Sequence, residues 1–266
     1  MKIFTKTLIF TFILWFSVFN LALASCNTNS AFFDGTNMYL KAASSDGSTE
    51  DITVEAWIRF DTLTFNNSEA RIIGRHGASD APDYAFFVDS YNAPGREIEF
   101  IYFQSGTAFT YRVMAYAFSI DTWYHLAVTL DASAKTITFY VNGTEYLGAS
   151  TDSGGGATSI RNNGVPYIGS LGASGIRMFP GRIDEVRISN TIVYTAGFTP
   201  QTDDFSADGN TRVLYHFNTD LTTDSSGNSN TLTNTNSVTQ SSTVPYVGTT
   251  CAGAAIIRNE QIIIFE

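Results

Sequence analysis

The chain has 266 residues, among them 21 Phe, 13 Tyr, 21 Gly and 6 Pro, and a formal charge of −10 at pH 7. So acidic a surface repels nucleic acid and anionic membranes, which excludes both as electrostatic partners; neutral sugars, cations and basic proteins suit it. The length fits one β domain, and aromatic residues and glycines far outnumbering prolines describe strands joined by turns.

Residues 1–24 read as an export signal. Lys2 and Lys6 precede an apolar run from Leu8 to Leu21, and Ala22-Leu23-Ala24 is a small-x-small cleavage pattern before Ser25. The two cysteines are Cys26 and Cys251. Leu23-Ala24-Ser25-Cys26 also fits a lipoprotein box, in which a lipidated Cys26 would tie the mature chain to a membrane; the other reading is an exported pair that forms a disulfide. No later stretch has the ~18 continuous apolar residues of a spanning helix. Residues 25–245 are expected to form the domain, and 246–266 a tail ending in an apolar Ile262-Ile263-Ile264-Phe265 that suits an edge strand.

Asp34-Gly35 supplies the first turn and Met38-Tyr39-Leu40 a strand. In Ile52–Phe60 the residues Ile52, Val54, Ala56, Ile58 and Phe60 share one face, and Glu55, Trp57 and Arg59 the other. Trp57 is either covered by loops or lines a groove where aromatic rings stack on a ligand. Strands follow at 72–74, 84–88, 98–103 and 111–118. Glu97 and Glu99 project from one face; such a pair can serve a glycosidase, although solvated acids are the ordinary case. Tyr84, Tyr102 and Tyr111 are candidate stacking residues, with core packing as the alternative. Tyr124, Leu126, Val128 and Leu130 then alternate with smaller or polar residues, a polar loop spans 131–135, and Ile137, Phe139 and Val141 resume the pattern up to an Asn142-Gly143 hairpin turn. Gly154-Gly155-Gly156 lacks the lysine and helix of a phosphate cradle. Closing strands are expected at 165–168 and 181–188. Strict alternation in the second puts Asp184 with Val186 and Ile188 on the apolar side, where a carboxylate needs a cation or several donors.

FDGTNMYL at 33–40, ITVEAWIRF at 52–60, TWYHLAVTLDASAKTITFYVNG at 122–143, YIGS at 167–170 and GRIDEVRIS at 181–189 together resemble the laminin-G-like jelly roll of the concanavalin A-like lectin/glucanase superfamily. The resemblance implies an all-β sandwich of two antiparallel sheets, in extracellular modules that bind carbohydrate or protein. LYHFNTDLTTDSSGNSNTLT at 214–233 resembles a segment that precedes the FDG strand in many members. Here it follows the last strand, as in a circular permutation, which would bring Cys251 close to Cys26 and imply a disulfide between them. Members often hold a structural calcium between the first and last strands; on the matching positions Asp34, Gly35 and Asp184 would supply oxygens, the alternative being that Asp184 caps backbone N–H groups without metal. His76, His125 and His216 are too scattered for a zinc site of recognisable spacing. Hydrolases of this fold carry a Glu-x-Asp-x-x-Glu strand, which this chain lacks, so it is not expected to be an enzyme. The expectation is a non-catalytic module, secreted or at the cell surface, that binds a glycan or a surface protein through loops 64–81, 89–96 and 154–163. A structural or adhesive protein that binds no sugar, or a divergent glycoside hydrolase, are the alternatives.

Overall fold

The computed structural model describes residues 26–77, 82–90, 96–104, 109–147, 149–150 and 158–247. Its strands are β1 (Ser30–Asp34), β2 (Tyr39–Ala42), β3 (Ile52–Phe60), β4 (Glu69–His76), β5 (Pro82–Asp89), β6 (Arg96–Phe103), β7 (Phe109–Tyr116), β8 (Trp123–Asp131), β9 (Thr136–Val141), β10 (Thr144–Leu147), β11 (Ala149–Ser150), β12 (Val165–Ile168), β13 (Pro180–Ser189), β14 (Thr211–Tyr215), β15 (Leu232–Thr235) and β16 (Thr239–Ser241). The first sheet runs β10-β9-β8-β3-β13-β1-β16, with β14 also on β13; the second runs β11-β7-β6-β5-β4-β12-β2-β15. Every pairing is antiparallel.

The period-two pattern explains the core. Ile52, Val54, Ala56, Ile58 and Phe60 of β3 and Tyr124, Leu126, Val128 and Leu130 of β8 face Tyr84, Phe86, Val88, Ile98, Phe100 and Tyr102 of the second sheet across one apolar cluster. The hairpin after β9 turns on Asn142 (φ 50°) and Gly143 (φ 76°), the paired positive angles that Asn-Gly adopts at least cost. The segment beyond residue 210 belongs to the same sandwich: β14 adds to β13, β15 to β2 and β16 to β1.

In β13 the expected alternation fails. Opposite β3, Asp184 pairs with Trp57 but Arg187 pairs with Glu55, so one extra residue is inserted, and Glu185 takes φ 48°. This bulge keeps Ile183, Val186 and Ile188 in the core and turns Asp184, Glu185 and Arg187 together to the outer face. Asp184 therefore does not lie on the apolar side. On the far edge of β13, β1 pairs with residues 180–183 and β14 with 186–189, so two short strands abut end to end and meet opposite the bulge.

A candidate metal centre on the outer face of the first sheet

The outer face of the first sheet is closed by the segment 190–206. Thr53 Oγ1 donates to the Thr191 carbonyl (2.7 Å) and accepts from Val193 N–H (2.9 Å); Phe198 N–H reaches the Gly143 carbonyl (2.9 Å); Tyr140 donates to the Tyr194 carbonyl (3.0 Å). Beneath this strap Glu55 is fully buried. It accepts from Arg187 Nε (2.7 Å) and Tyr194 hydroxyl (2.7 Å) and lies 3.0 Å from His125 Nε2. Burial alone would raise the Glu55 pKa, but His125, Arg187 and Tyr194 outweigh it and hold the carboxyl below its ordinary value. Four side chains from three strands and the strap thus form one charge-balanced hub.

The bulge builds a second cluster beside it. Asp184 accepts from Asn27 Nδ2 (2.9 Å) and from Glu185 N–H (2.9 Å). Glu185 accepts from Phe205 N–H (2.8 Å) and lies 2.8 and 2.9 Å from His216 Nδ1, while Asn218 Nδ2 donates to Asp204 (3.1 Å). Asn218 also ties the strand ends together by accepting from Thr28 N–H (2.7 Å). Burial, together with the neighbouring Glu185 charge, pushes the Asp184 carboxyl well above its ordinary range, and burial raises Glu185. Burial would lower His216, but Glu185 outweighs it and the imidazole is raised. Two buried carboxyls, Asp184 and Glu185, and half-buried Asp204 around one half-buried imidazole concentrate acidic groups where solvent is scarce, a setting that favours a cation or retained protons.

One ligand atom each from Glu185, Asp204 and His216 lies within 4.8 Å of the others, so this group could hold a metal ion. Asp204 Oδ1 and Asn27 Oδ1 are buried with no hydrogen-bond partner, two oxygens with capacity to spare at the same place. A neutral imidazole with carboxylates suits zinc or manganese, whereas the surrounding oxygens alone are the donor type that calcium prefers.

The structure does not assemble the ligand set expected from the resemblance. Asp34 pairs with Pro180 and Ile183 with Ala31, so Asp184 lies four residues along β13 from Asp34, about 13 Å at strand spacing. Asp34 and Gly35 cannot share an ion with Asp184, and the Asp34 carboxylate is occupied by Thr36 N–H (2.8 Å) and Thr36 hydroxyl (2.5 Å). Trp57 does not line an open groove; it is buried among Phe205, Leu214, Trp123 and Tyr246. Tyr84 and Tyr102 have no exposed surface, and a ring without an exposed face cannot stack on a ligand; Tyr84 instead donates its hydroxyl to Asp46 (2.8 Å) from within the core. Tyr111 is opposite Ile101 in the β6–β7 register, and its side chain lies outside the described residues. Among the described residues no cysteine is free; Cys26 leads into β1, whereas Cys251, residues 1–25 and Ile262–Phe265 lie outside the described residues. Glu185, Asp204 and His216 were missed by sequence reasoning. The available signal was the adjacent acidic pair Asp184-Glu185 in an otherwise alternating strand, the mark of an inserted residue.

Among solved structures, a candidate carbohydrate binding protein from Bacteroides ovatus is similar over 84% of this chain at 20% identity and TM-score 0.59; the chain spans 62% of its length. A heptameric SAP-like pentraxin from Limulus polyphemus is similar over 85% of this chain and 97% of its own, at 12% identity and TM-score 0.57. At these identities the likeness concerns the fold. No curated protein is similar to the chain. The family described as the concanavalin A-like lectin/glucanases superfamily matches residues 34–196, more than half of the sequence. Those residues run from the turn after β1 through the bulged strand and into the strap that seals it, and the chain belongs to this laminin-G-like family of the concanavalin A-like lectin/glucanase superfamily.

Proposed function

We propose that the chain is an exported, non-catalytic binding module that recognises a glycan, using the outer face of its second sheet and the adjoining loops. The observation that carries this reading is the asymmetry of the sandwich. The strap covers the first sheet over Glu55 and Trp57, whereas on the second, among the described residues, only the short turn 169–179 lies over β4, and beyond it Lys41 is exposed and Glu97, Ile101 and Phe103 are half-exposed. Membership of a lectin-like superfamily supports the same reading at the level of fold. Glu99 is buried and only its neighbour Glu97 reaches solvent, a poor arrangement for a pair of carboxyls flanking a scissile bond.

The centre at Glu185, Asp204 and His216 has a structural role in this reading. A divalent ion there would neutralise the excess carboxylate charge and fasten β1, the bulge and the segment after β14 to one another. A glycan array probed with the mature protein tests the binding reading, alongside a polysaccharide hydrolysis panel. Retention of one or more saccharides without turnover is the expected result. Turnover abolished by Glu97→Gln would make the chain a hydrolase, and association with cell-surface protein in the absence of any sugar binding would make it an adhesive module.

A further inference from the structure

The second sheet places a row of residues across its outer face: Lys41, Tyr167, Gly74, Ala85 and Ile101 are successive partners from β2 to β6. The next row holds Arg71, Phe87 and Glu99. Gly74 and Ala85 leave a trough in the middle. The His76 ring lies over it, since a Cβ on Gly74 would come within 2.8 Å of His76 Nε2. Tyr167 meets the same ring edge to face at 6.1 Å.

This trough is lidded by a short flap, residues 169–179. Its base is closed by Phe179 N–H to the Gly169 carbonyl (3.0 Å) and its tip by Leu171 N–H to the Ile176 carbonyl (3.2 Å). Leu171 and Met178 point inward, and Arg177 pairs with Glu69 (3.2 Å). Four of its residues, Gly169, Gly172, Gly175 and Arg177, have φ between 57° and 82°. Arg177 is the only one of the four with a side chain, so the closed position carries local backbone strain.

Under the flap, polar groups are stranded. Arg71 is 2% exposed and His76 3%. Arg71 Nη2 is paired with Glu69 and its guanidinium lies over Phe87 at 3.7 Å, but Nε and Nη1 have no partner, and neither ring nitrogen of His76 has one. Buried side chains are rarely left so, and where they are, the site needs an explanation. The local charges of Arg71 and Arg177 are matched by Glu69 and Glu99, and burial beside Arg71 keeps the His76 imidazole neutral, with a pKa of about 3. What is missing is therefore a neutral polar partner, one that accepts from the guanidinium edge, both donates to and accepts from an imidazole, and offers an apolar face to Phe87 and Tyr167. Adjacent hydroxyls on a pyranose ring have that combination, whereas an anion would meet Glu69 and Glu99.

We propose that this trough is a saccharide subsite, in which Arg71 and His76 take a vicinal pair of hydroxyls of a neutral pyranose when the flap 169–179 lifts. The inference rests on the glycan-binding reading and adds the position, the ligand class and the moving part. Titration calorimetry on the full mature chain tests it, with gluco-, manno- and xylo-oligosaccharides as neutral probes and oligogalacturonate as the acidic one. One or more neutral probes should bind. Arg71→Lys keeps the charge but loses the fork, and His76→Phe keeps the ring but loses both nitrogens; each should weaken that binding about 10- to 100-fold with the thermal melt unchanged. Arg177→Gln, at a half-exposed position, removes a contact that holds the flap down, and should speed both hydrogen exchange at the Leu171 amide and association. A role confined to stability would speed exchange and leave the association rate unchanged. Neutral binding that survives both Arg71→Lys and His76→Phe would overturn the subsite and leave the binding module intact. Preference for oligogalacturonate would overturn the ligand class, and absence of binding to all four probes would overturn the glycan reading itself.

Discussion

Glu55→Gln tests the idea that one buried carboxylate holds the strap against the first sheet. The substitution keeps the shape and removes the charge, leaving Arg187, whose side chain is 14% exposed, without its counter-ion and fully buried His125 facing an amide in place of a carboxylate. Removing one partner of a buried ion pair costs about 3–5 kcal/mol. In a domain of this size each kcal/mol lowers the melting temperature by about 2–4 °C, so a fall of about 6–20 °C is expected. Urea unfolding of the parent, Glu55→Gln, Arg187→Met and the double variant gives the coupling directly, and the double variant should lose less than the sum of the single ones. The pH profile supplies the sign. Because the folded pKa of Glu55 is depressed, its contribution is present above the unfolded value of about 4.3 and is lost as pH falls through the folded value. A loss below about 1 kcal/mol, or strictly additive single variants, would refute the hub.

The bulge centre behaves oppositely. Asp184, Glu185 and His216 all have raised folded pKa values, so their contribution is complete below the unfolded pKa values and declines as pH rises through the folded ones. In chelator, stability should therefore fall as pH rises above the unfolded carboxyl values of about 4, and zinc, manganese or calcium at 100 times its Kd should restore about 2.7 kcal/mol once the carboxyls are ionised; melting curves that ignore both chelator and Glu185→Gln would exclude the ion. Gly143→Ala would put a Cβ 1.8 Å from the Phe198 carbonyl oxygen at φ +76°. Backbone strain alone costs about 1–2 kcal/mol, and faster hydrogen exchange at Phe198 should show that the strap has come away from the hairpin. Intact mass of the secreted protein should show both cysteines oxidised, with reduction costing about 5 kcal/mol for so long a loop; two free thiols, or a lipid on Cys26, would rule the bridge out.

The strands were legible because the core is two-faced. Each inward residue had to be large and apolar and each outward one could vary, so β3, β8, β9 and the Asn142-Gly143 turn appear in the sequence as a period of two. The same parity held information about the tyrosines. Tyr84 is in step with Phe86 and Val88, and Tyr102 with Ile98 and Phe100, which assigns both to the core rather than to a ligand. Trp57 was correctly separated from its apolar neighbours, but the strap and Tyr246 that cover it come from 140 and more residues away, and no local pattern encodes that contact. The metal centre was hidden for two reasons. An inserted residue breaks alternation without leaving a gap in hydrophobicity, and His216 approaches Glu185 only because β1 and β14 meet end to end on one edge of β13.

The inserted residue in β13 also separates two things the strand does. Without Glu185, the order Ile183, Asp184, Val186, Arg187, Ile188 would alternate perfectly, and the same three apolar side chains would still close the sandwich. The polar centre is therefore an addition to a strand already sufficient for folding, and a chain lacking that one residue should keep its architecture while losing the place where a cation can sit.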